Sequence, residues 1–419
     1  MKSANTSQWT PSDAQQRAAQ FDLKALPADF DQDPYRYYRA LRDYQPVKPM
    51  PDGSYLLTRH ADCEYVYKNP GLFSSDKQAE FAPKYGNSPL FEHHTTSLVF
   101  NDPPRHTRVR RLISSALLPK AIAHMQPGLE SLVDRLLENM ARTDEVDLIA
   151  DYASQIPIEV IGNLLAVPVA DRGPLRDWSL AILGALEPVV SPEAFEWGNR
   201  SVTEFAAYLK GLIAERRENP GDPERDVLTR LIQGDGSGEE LSLPELIHNC
   251  IFLLNAGHET TTNLIGNGLV LLSEHRDQLA ALQQEPALIK QTIEEILRFE
   301  SSNQLGNRMT LAEVSVGGVS MPANTPVTLC IGAANRDPER FDDPDNFWIQ
   351  RPSRHHLAFA AGIHQCVGMS LARLEGQIAI ARFVEKFPDY SIVAEPVRGG
   401  RARFRGYLEV RCQLANKPG

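Results

Sequence analysis

The chain has 419 residues, five cysteines and a formal net charge of −11 at pH 7. This acidic charge argues against general nucleic-acid binding, and no stretch approaches the roughly 18 apolar residues that a membrane-spanning helix needs. The cysteines are scattered and form no CxxC pair. Such spacing favours a reducing compartment over secretion, so we expect a cytoplasmic protein.

The N-terminal region is predicted to begin with a flexible polar tail, residues 1–20, which lacks the apolar core of a signal peptide. The run Asp31–Pro34 is typical of a helix cap, and a first helix is expected over residues 35–44. Residues 54–58 have the composition of a strand. Residues 76–97 contain proline and glycine without a regular apolar period, which predicts a long loop, and long loops in compact domains are usually functional.

The longest predicted element is a helix that begins at Ser242 and runs to about Ser273. Ser242 and Glu245 have capping-box spacing, and Pro244 lies in the first turn. Apolar residues occupy most faces of this helix, so we expect it in the centre of the protein. The other predicted elements are helices with short breaks over residues 105–233, a second long helix over residues 286–299, and strands and turns over residues 389–410.

The ten residues that end at Gly368 carry the strongest functional signal. They fit the pattern F-x-x-G-x-H-x-C-x-G, which specifies five positions. With frequencies of roughly 5% per residue type, a chance match in a chain of this length is on the order of one in ten thousand. This pattern is the haem-ligand loop of the cytochrome P-450 family, and residues 25–412 resemble the soluble bacterial members of that family.

The resemblance implies a mainly α fold with small β-sheets. A single large domain, residues 21–419, would bury haem b between the long helix and the cysteine loop, with dioxygen as co-substrate. Cys366 would be the axial ligand of the haem iron, because a thiolate there pushes electron density toward dioxygen and favours O–O cleavage. The alternative for a lone cysteine is a buried, inert thiol.

The rest of the loop is expected to support this ligand. A helix predicted over residues 369–383 would place its positive N-terminal end beside Cys366 and lower the pKa of the thiol. Gly362 would permit the turn, and Gly368 would let the backbone approach the porphyrin. Ala360 stands where the family usually has glycine, which puts the local turn geometry in question. The loop residues assigned to the cofactor, besides the ligand, are Phe359, Gly362, His364 and Gly368.

The long helix contains a second motif of the family, A-G-x-[DE]-T-T, at residues 256–261. An interior glycine costs a helix roughly 1 kcal/mol, and a glutamate among apolar residues is costly unless it is paired or hydrated, so both indicate function. The resemblance implies that Ala256 and Gly257 lie against the haem, that Thr260 hydrogen-bonds dioxygen and that Glu259 relays protons. The alternative is a threonine bonded to the carbonyl four residues earlier and a glutamate that reaches a lysine.

Basic residues are expected to bind the haem propionates. Residues 102–110 match the family pattern D-P-P-x-H-T-x-x-R, which assigns His106 and Arg110 to this role. Arg308 and His364 would complete the group, because arginine is suited to bidentate contacts with carboxylates. The alternative for each of them is a solvated basic surface.

A further family motif, E-x-x-R, is expected to be structural rather than catalytic. Glu295 and Arg298 are three residues apart and would share one face of a helix. Together with Arg351 they would form an ion-paired group behind the haem that stabilises the fold.

The substrate pocket is expected to be apolar with two amides. Phe252 and Asn255 precede Gly257 on the long helix, and Asn303 would approach from another side. A buried amide needs partners, which are each other, water, a propionate or a polar group of the substrate. The mobile segment expected over residues 81–99 would add Phe81, Leu90 and Phe91.

These motifs predict a haem-thiolate monooxygenase that inserts one atom of dioxygen into a small or medium-sized, mostly apolar organic substrate, by hydroxylation, O-dealkylation or epoxidation. A monomer is expected, with electrons from NAD(P)H through a separate ferredoxin reductase and ferredoxin, because the haem unit occupies the whole chain. The alternatives are a peroxygenase or dehydratase on the same fold, and a non-catalytic haem binder or electron carrier. An acidic ferredoxin would dock on basic residues of the cysteine side, which are Arg105, Arg108, Arg111 and Arg354.

Overall fold

The computed structural model describes residues 9–223, 226–352 and 355–414. Within these ranges most residues are helical and the strands form four small sheets, so the expected mainly α fold class is confirmed. The α-helices are α1 (Pro11–Gln20), α2 (Pro34–Tyr44), α3 (His60–Lys68), α4 (Gln78–Tyr85), α5 (Pro89–Thr96), α6 (Arg105–Ala116), α7 (Pro119–Met140), α8 (Gln155–Leu164), α9 (Leu175–Gly184), α10 (Pro192–Glu218), α11 (Val227–Gln233), α12 (Leu243–Glu274), α13 (Arg276–Gln284), α14 (Ile289–Phe299), α15 (Ile331–Ala334) and α16 (Met369–Lys386). The β-strands are β1 (Val47–Pro49), β2 (Tyr55–Leu57), β3 (Phe73–Ser74), β4 (Glu145–Asp147), β5 (Leu305–Thr310), β6 (Val314–Val316), β7 (Val319–Met321), β8 (Pro326–Cys330), β9 (Ser391–Ile392), β10 (Val397–Arg398), β11 (Tyr407–Glu409) and β12 (Arg411–Gln413).

The largest sheet has the strand order β1-β2-β8-β5-β3. Strands β2 and β8 run parallel, whereas the other neighbours are antiparallel. The strand expected over residues 54–58 is β2, and the strands expected near the C-terminus are β9, β10 and β11. Strand β5 matters most for the site, because its pairing with β8 fixes Asn307 and Arg308 opposite Thr328 and Val327.

The N-terminal region is more ordered than the sequence suggested. Residues 11–20, which we expected in a flexible tail, form helix α1, and residues 1–8 lie outside the described ranges. Thr10 caps α1 by accepting a hydrogen bond from the backbone N–H of Asp13. Ala18 is buried in a small core that also contains Phe21 and Tyr37. The polar composition hid this helix, because little more than one narrow face of it is covered.

Residues 76–97 are also helical rather than a long loop. They form α4 and α5, which pack together. Ser88 caps α5 through its hydroxyl, and Pro89 occupies the first turn, where a missing N–H costs nothing. Pro83 lies inside α4 without ending it, and that helix stops at Gly86, which has a φ of 58°. The prolines and the glycine therefore mark helix ends that we interpreted as loop.

Helix α12 occupies the centre of the protein, as expected. Its capping box is complete, since Ser242 and Glu245 each bond to the backbone of the other. The helix is buried along most of its length and packs against α8, α9, α10, α14 and α16. It is α-helical from Leu243 to Glu274 without interruption. Despite its apolar character, neither α12 nor another helix in the described part of the chain meets the length and hydropathy needed to span a membrane.

The ion-paired group predicted around Glu295 is confirmed. Arg298 donates to both carboxylate oxygens of Glu295, at 2.8 Å each, and Nε of Arg351 lies 3.1 Å from both oxygens. All three side chains are buried. The two guanidinium groups also donate to backbone carbonyls of residues 335–346, so the group joins α14 to the segment that leads into the cysteine loop.

Candidate active site

A cavity of about 310 Å³ lies between α12 and the loop that precedes α16. This volume is within the range of ligand-binding sites rather than of packing defects. The side chains that line it come from α5, α8, α9, α12, β5, the cysteine loop and the segment around residue 403. The cavity is therefore the place where the two sequence motifs with the clearest chemistry meet.

Cys366 lies in the wall of this cavity. It is exposed to the cavity space, although protein atoms enclose the site, and its backbone N–H donates to the carbonyl of Phe359 at 2.9 Å. Burial raises the pKa of the thiol, whereas a backbone hydrogen bond from Gly368 and the charges of Arg110 and Arg373 lower it. We expected these residues to win, but desolvation is the larger effect in the protein alone. The other four cysteines are buried.

The cysteine loop requires glycine at two positions for different reasons. Gly362 has a φ of 70°, and a Cβ there would lie 2.2 Å from the carbonyl oxygen of Tyr67, so only glycine fits. Gly368 has a φ of −88°, and a Cβ there would meet no protein atom within 4 Å. Because Gly368 lines the cavity, its missing side chain leaves free space for whatever the cavity holds.

Ala360 adopts the left-handed conformation, with a φ of 55°. This explains why the family usually has glycine at the position, since a Cβ carries a cost of roughly 1–2 kcal/mol in that region. The structure accommodates the alanine: its N–H donates to the carbonyl of Leu357 at 2.8 Å. The turn keeps its shape at the expense of local strain.

Arg110 and Arg308 are positive charges with neutral partners only. Arg110 donates to the carbonyl of Gln365 and Arg308 to the carbonyl of Asn307, both at 2.7 Å. Both line the cavity, and burial lowers the pKa of each guanidinium. Among the described residues, no carboxylate lies within 4 Å of either one. A buried cation without a counter-ion is costly, so the site calls for an anion.

His106 and His364 stand beside these arginines. Their ring centroids are 4.0 Å apart, and the Nε2 atom of each ring is buried and has no hydrogen-bond partner. Burial and the neighbouring arginine charges lower the pKa of His106 to about 4 and that of His364 to about 2, so both rings are neutral at pH 7. Two unpaired guanidinium groups and two unsatisfied imidazoles fit a flat cofactor that carries two carboxylates. The residues present thus suit a haem.

The motif on α12 borders the same cavity through Ala256, Gly257 and Thr260. Gly257 has a packing reason as well, because a Cβ there would lie 2.7 Å from Cδ1 of Ile161 on α8. The local widening of the helix that we expected at Gly257 is not observed. The hydroxyl of Thr260 donates to the carbonyl of Ala256, which is the geometry of the alternative interpretation.

Glu259 is buried and pairs with an arginine rather than a lysine. Nη1 of Arg401 lies 2.6 Å from Oε1 of Glu259, and Oε2 has no hydrogen-bond partner. Burial raises the pKa of Glu259 to about 7, although Arg401 opposes the shift. Arg401 also donates to the carbonyl of Leu180 and is partly exposed. The sequence did not reveal this partner, which is 142 positions away.

The predicted pocket residues divide into two groups. Phe252, Asn255 and Asn303 line the cavity. Both side-chain atoms of Asn255 are buried without a partner, whereas Oδ1 of Asn303 accepts from the backbone N–H of Leu305 at 3.3 Å. The expected contributions from Phe81, Leu90 and Phe91 were wrong: α4 and α5 turn these side chains toward the core and bring other residues to the wall.

Sequence analysis missed further polar residues of the wall. They are His93 and His94 on α5, Glu375 on α16, and Arg403. Burial alone raises the pKa of Glu375 to about 8. The adjacent histidines and the alternation of arginines at 401, 403 and 405 were signals that could have drawn attention to these segments.

The basic surface expected for a ferredoxin is largely neutralised. Arg105 and Arg108 both pair with Glu245, and Arg111 pairs with Asp235 and Glu239. These contacts join α6 to the start of α12 and to the turn before it. Arg354 lies outside the described residues.

Comparisons with known proteins agree with this geometry. A model of the cytochrome P450 family matches residues 186–388. Cytochrome P450 107B1 of Saccharopolyspora erythraea is 39% identical over 90% of this chain and 93% of its own length. Vitamin D(3) 25-hydroxylase of Pseudonocardia autotrophica is 36% identical over 87% of this chain and 88% of its own. The 6-deoxyerythronolide B hydroxylase of Saccharopolyspora erythraea is 35% identical over 87% and 91%.

Solved structures match over nearly the whole chain. P450BioI, crystallised with an acyl carrier protein ligated to hexadec-9Z-enoic acid, aligns with a TM-score of 0.88 and 32% identity over 93% of this chain and all of that one. Substrate-free CYP109E1 from Bacillus megaterium aligns with a TM-score of 0.84 and 30% identity over 92% and 99%.

The strain at Ala360 predicts a stabilising substitution. Ala360→Gly removes the Cβ from a left-handed residue, and we expect the free energy of unfolding to rise by up to about 1 kcal/mol, because the added flexibility of the unfolded chain offsets part of the gain. Urea unfolding monitored by circular dichroism would measure it. The neighbouring Ala361 has a φ of −148°, so Ala361→Gly should destabilise instead. Equal effects at both positions would contradict the strain.

The raised pKa of Glu259 predicts a pH dependence of stability. Its folded-state pKa of about 7 lies above the model value of 4.5, so holding the ionised form costs stability, and this cost grows as the pH rises between these values. Glu259→Gln should therefore become more stable relative to wild type from pH 5 to pH 8, by on the order of 1–3 kcal/mol. The measurement is urea unfolding as a function of pH.

A contrasting variant is available on α10. Hydrogen bonds at the cap lower the pKa of Glu193, so Glu193→Gln should lose stability relative to wild type as the pH rises. A difference between Glu259→Gln and wild type that does not change with pH would contradict the assignment for Glu259.

Proposed function

Because the chain belongs to the cytochrome P450 family of haem-thiolate monooxygenases, we propose that it inserts one oxygen atom into a small or medium-sized, mostly apolar organic molecule. The reaction would be a hydroxylation, an O-dealkylation or an epoxidation, and the second oxygen atom of dioxygen would leave as water after two electrons and two protons are consumed. The observation that carries the proposal is the meeting of Cys366, Gly257 and Thr260 at one largely apolar cavity. The relatives named as hydroxylases support it.

We assign the cofactor contacts to residues of this cavity. Cys366 would supply the sulfur ligand, and Gly362 and Gly368 would keep the space beside it open. Arg110, Arg308, His106 and His364 would bind the two propionates, which satisfies both the unpaired charges and the orphaned ring nitrogens. Phe359 and Ala256 would pack against the macrocycle. When bound, thiolate-ligated haem supplies the activation of dioxygen that the protein side chains cannot provide.

Glu259 and Thr260 would manage the protons. A carboxyl with a pKa of about 7 can both take up and release a proton near neutral pH, and Oε2 of Glu259 has no competing partner. Arg401 would hold Oε1 and orient the group between the partly exposed surface and the cavity. The hydroxyl of Thr260 would turn from the carbonyl of Ala256 toward the cavity to pass the proton on.

The electrons would come from NAD(P)H through a separate ferredoxin reductase and ferredoxin. This assignment follows the resemblance to bacterial members of the family. Because Arg108 and Arg111 are engaged in ion pairs, they are poor candidates for the main docking contacts. The docking surface would then depend on shape around the cysteine loop more than on these two charges.

The substrate would contact Phe252 through an apolar part and Asn255 through a polar one. Both amide atoms of Asn255 are buried without a partner, which favours a ligand with a hydroxyl or carbonyl group. Asn303 is less suited to this role than we expected, because Leu305 already occupies its oxygen.

The ligand assignment is tested by the spectrum of the reduced protein with carbon monoxide. Wild type should show the strongly red-shifted Soret band of thiolate ligation, and Cys366→His should lose both this band and oxygenation. Cys63→Ala, which removes a buried thiol on α3, is the matched control and should keep both. Retention of the band by Cys366→His would refute the assignment.

The proton assignment predicts uncoupling. Thr260→Ala should still bind substrate and consume reductant, but most of the reducing equivalents should appear as hydrogen peroxide rather than product. Glu259→Gln should slow turnover, since the amide cannot release a proton at Oε2. The hydroxyl of Thr262 on the same helix is buried and does not line the cavity, so Thr262→Ala should stay coupled. Product and peroxide per reductant decide the matter, and unchanged coupling in Thr260→Ala would contradict it.

A further inference from the structure

The cavity wall contains a third buried arginine that the cofactor assignment leaves unused. Arg403 donates from Nε to the carbonyl of Leu186 at 3.0 Å and from Nη1 to the carbonyl of Leu305 at 2.7 Å, and Nη2 donates to Oδ1 of Asn307. All three acceptors are neutral. In the described part of the chain no carboxylate lies within ion-pair distance of Arg403. Its partly exposed surface faces the cavity.

The guanidinium still has donors to spare. It carries five N–H groups, and the three acceptors use one on each nitrogen. One N–H therefore remains on each terminal nitrogen. Two such donors match the two oxygens of a carboxylate.

His94 borders the same corner of the cavity. The carbonyl of Ala185 accepts hydrogen bonds from Lys84 and Tyr85, and the next carbonyl, that of Leu186, accepts from Arg403. The ring of Tyr85 lies 5.5 Å from the ring of His94. His94 lines the cavity, is 2% exposed, and its Nε2 atom has no hydrogen-bond partner.

The charges around this corner do not balance. Lys77 pairs with Glu80, which leaves Lys84, Arg403 and Glu187 as the nearby charges. Glu187 is already held by the backbone N–H groups of residues 402 and 403, at 3.0 and 3.1 Å. One positive charge is therefore in excess at the cavity wall. Lys84 and Arg403 also lower the pKa of His94, to about 3, so its ring is neutral and carries one N–H.

We propose that Arg403 and His94 bind a carboxylate at one end of an otherwise apolar substrate. The proposal rests on the proposed function, since it takes the cavity to be the substrate site. The apolar remainder would run along Phe100, Leu183 and Phe252, which also line the cavity, toward Thr260 and Cys366. Arg403 then selects for an acid, whereas Asn255 serves a neutral group.

The test compares three ligands of equal chain length: dodecanoic acid, methyl dodecanoate and 1-dodecanol. Calorimetry with the haem-loaded protein should show that wild type binds the acid about tenfold or more tightly than the other two, because a charge-assisted hydrogen bond to a desolvated arginine is lost with either of them. Arg403→Gln should abolish this preference and Arg403→Lys should restore part of it. Arg398→Gln removes an arginine that lies outside the cavity lining and should keep the preference.

A second variant guards against a folding defect, because Arg403 also joins the segment after α9 to β5. His94→Leu leaves those contacts in place and should reduce the preference for the acid. Equal binding of the three ligands by wild type, or an undiminished preference in folded Arg403→Gln or in His94→Leu, would overturn the proposal.

Two further readouts separate the possible causes. If Arg403 served a haem propionate instead, Arg403→Gln would lose haem while its remaining holoprotein kept the preference for the acid, and that result would also overturn the proposal. The carbon monoxide spectrum of the same wild-type sample reports on the proposed function separately, since its band does not depend on which ligand binds. A normal band with equal binding of the three ligands rejects the carboxylate site alone.

Discussion

Buried positive charge without a counter-ion is the constraint on which the cavity depends. Arg110, Arg308 and Arg403 face the cavity with neutral acceptors only, and each is held by backbone or amide oxygens. A buried charge in this state is expensive, so the cavity is incomplete without anionic occupants. The group around Glu295 shows the opposite case, because two arginines there share one carboxylate and need nothing further. The contrast separates charges that hold the fold from charges that await a ligand.

The environment of Glu259 shows how the same physics prepares a proton carrier. Full burial would keep the carboxyl protonated, and a strong ion pair would keep it ionised. Burial and Arg401 together leave its pKa at about 7. Glu375 lacks any such partner, and its pKa rises further, to about 8. Two buried carboxyls that border one site thus differ because only one of them has an arginine within reach.

The sequence predicted the fold class, the course of α12 and the residues at the cavity with good accuracy, because those features depend on local signals. The capping box at Ser242 and the pattern around Cys366 are each complete within a few residues. The errors occurred where tertiary contacts decide. Helix α1 is stable because Ala18 packs against other elements, and Arg108 is neutralised by a residue 137 positions away. Neither contact leaves a periodic signal in the chain.

The alternating arginines near the C-terminus connect parts of the site that otherwise do not meet. Arg401 reaches Glu259 on α12, Arg403 reaches β5 and the segment after α9, and Arg405 pairs with Glu300 at the end of α14. Five residues of one short segment therefore position both the proton carrier and the corner that holds the substrate. Substitutions in this segment should be strongly non-additive with substitutions at either place. An evolutionary path that changes substrate choice through residues 401–405 would have to retune proton delivery at the same time.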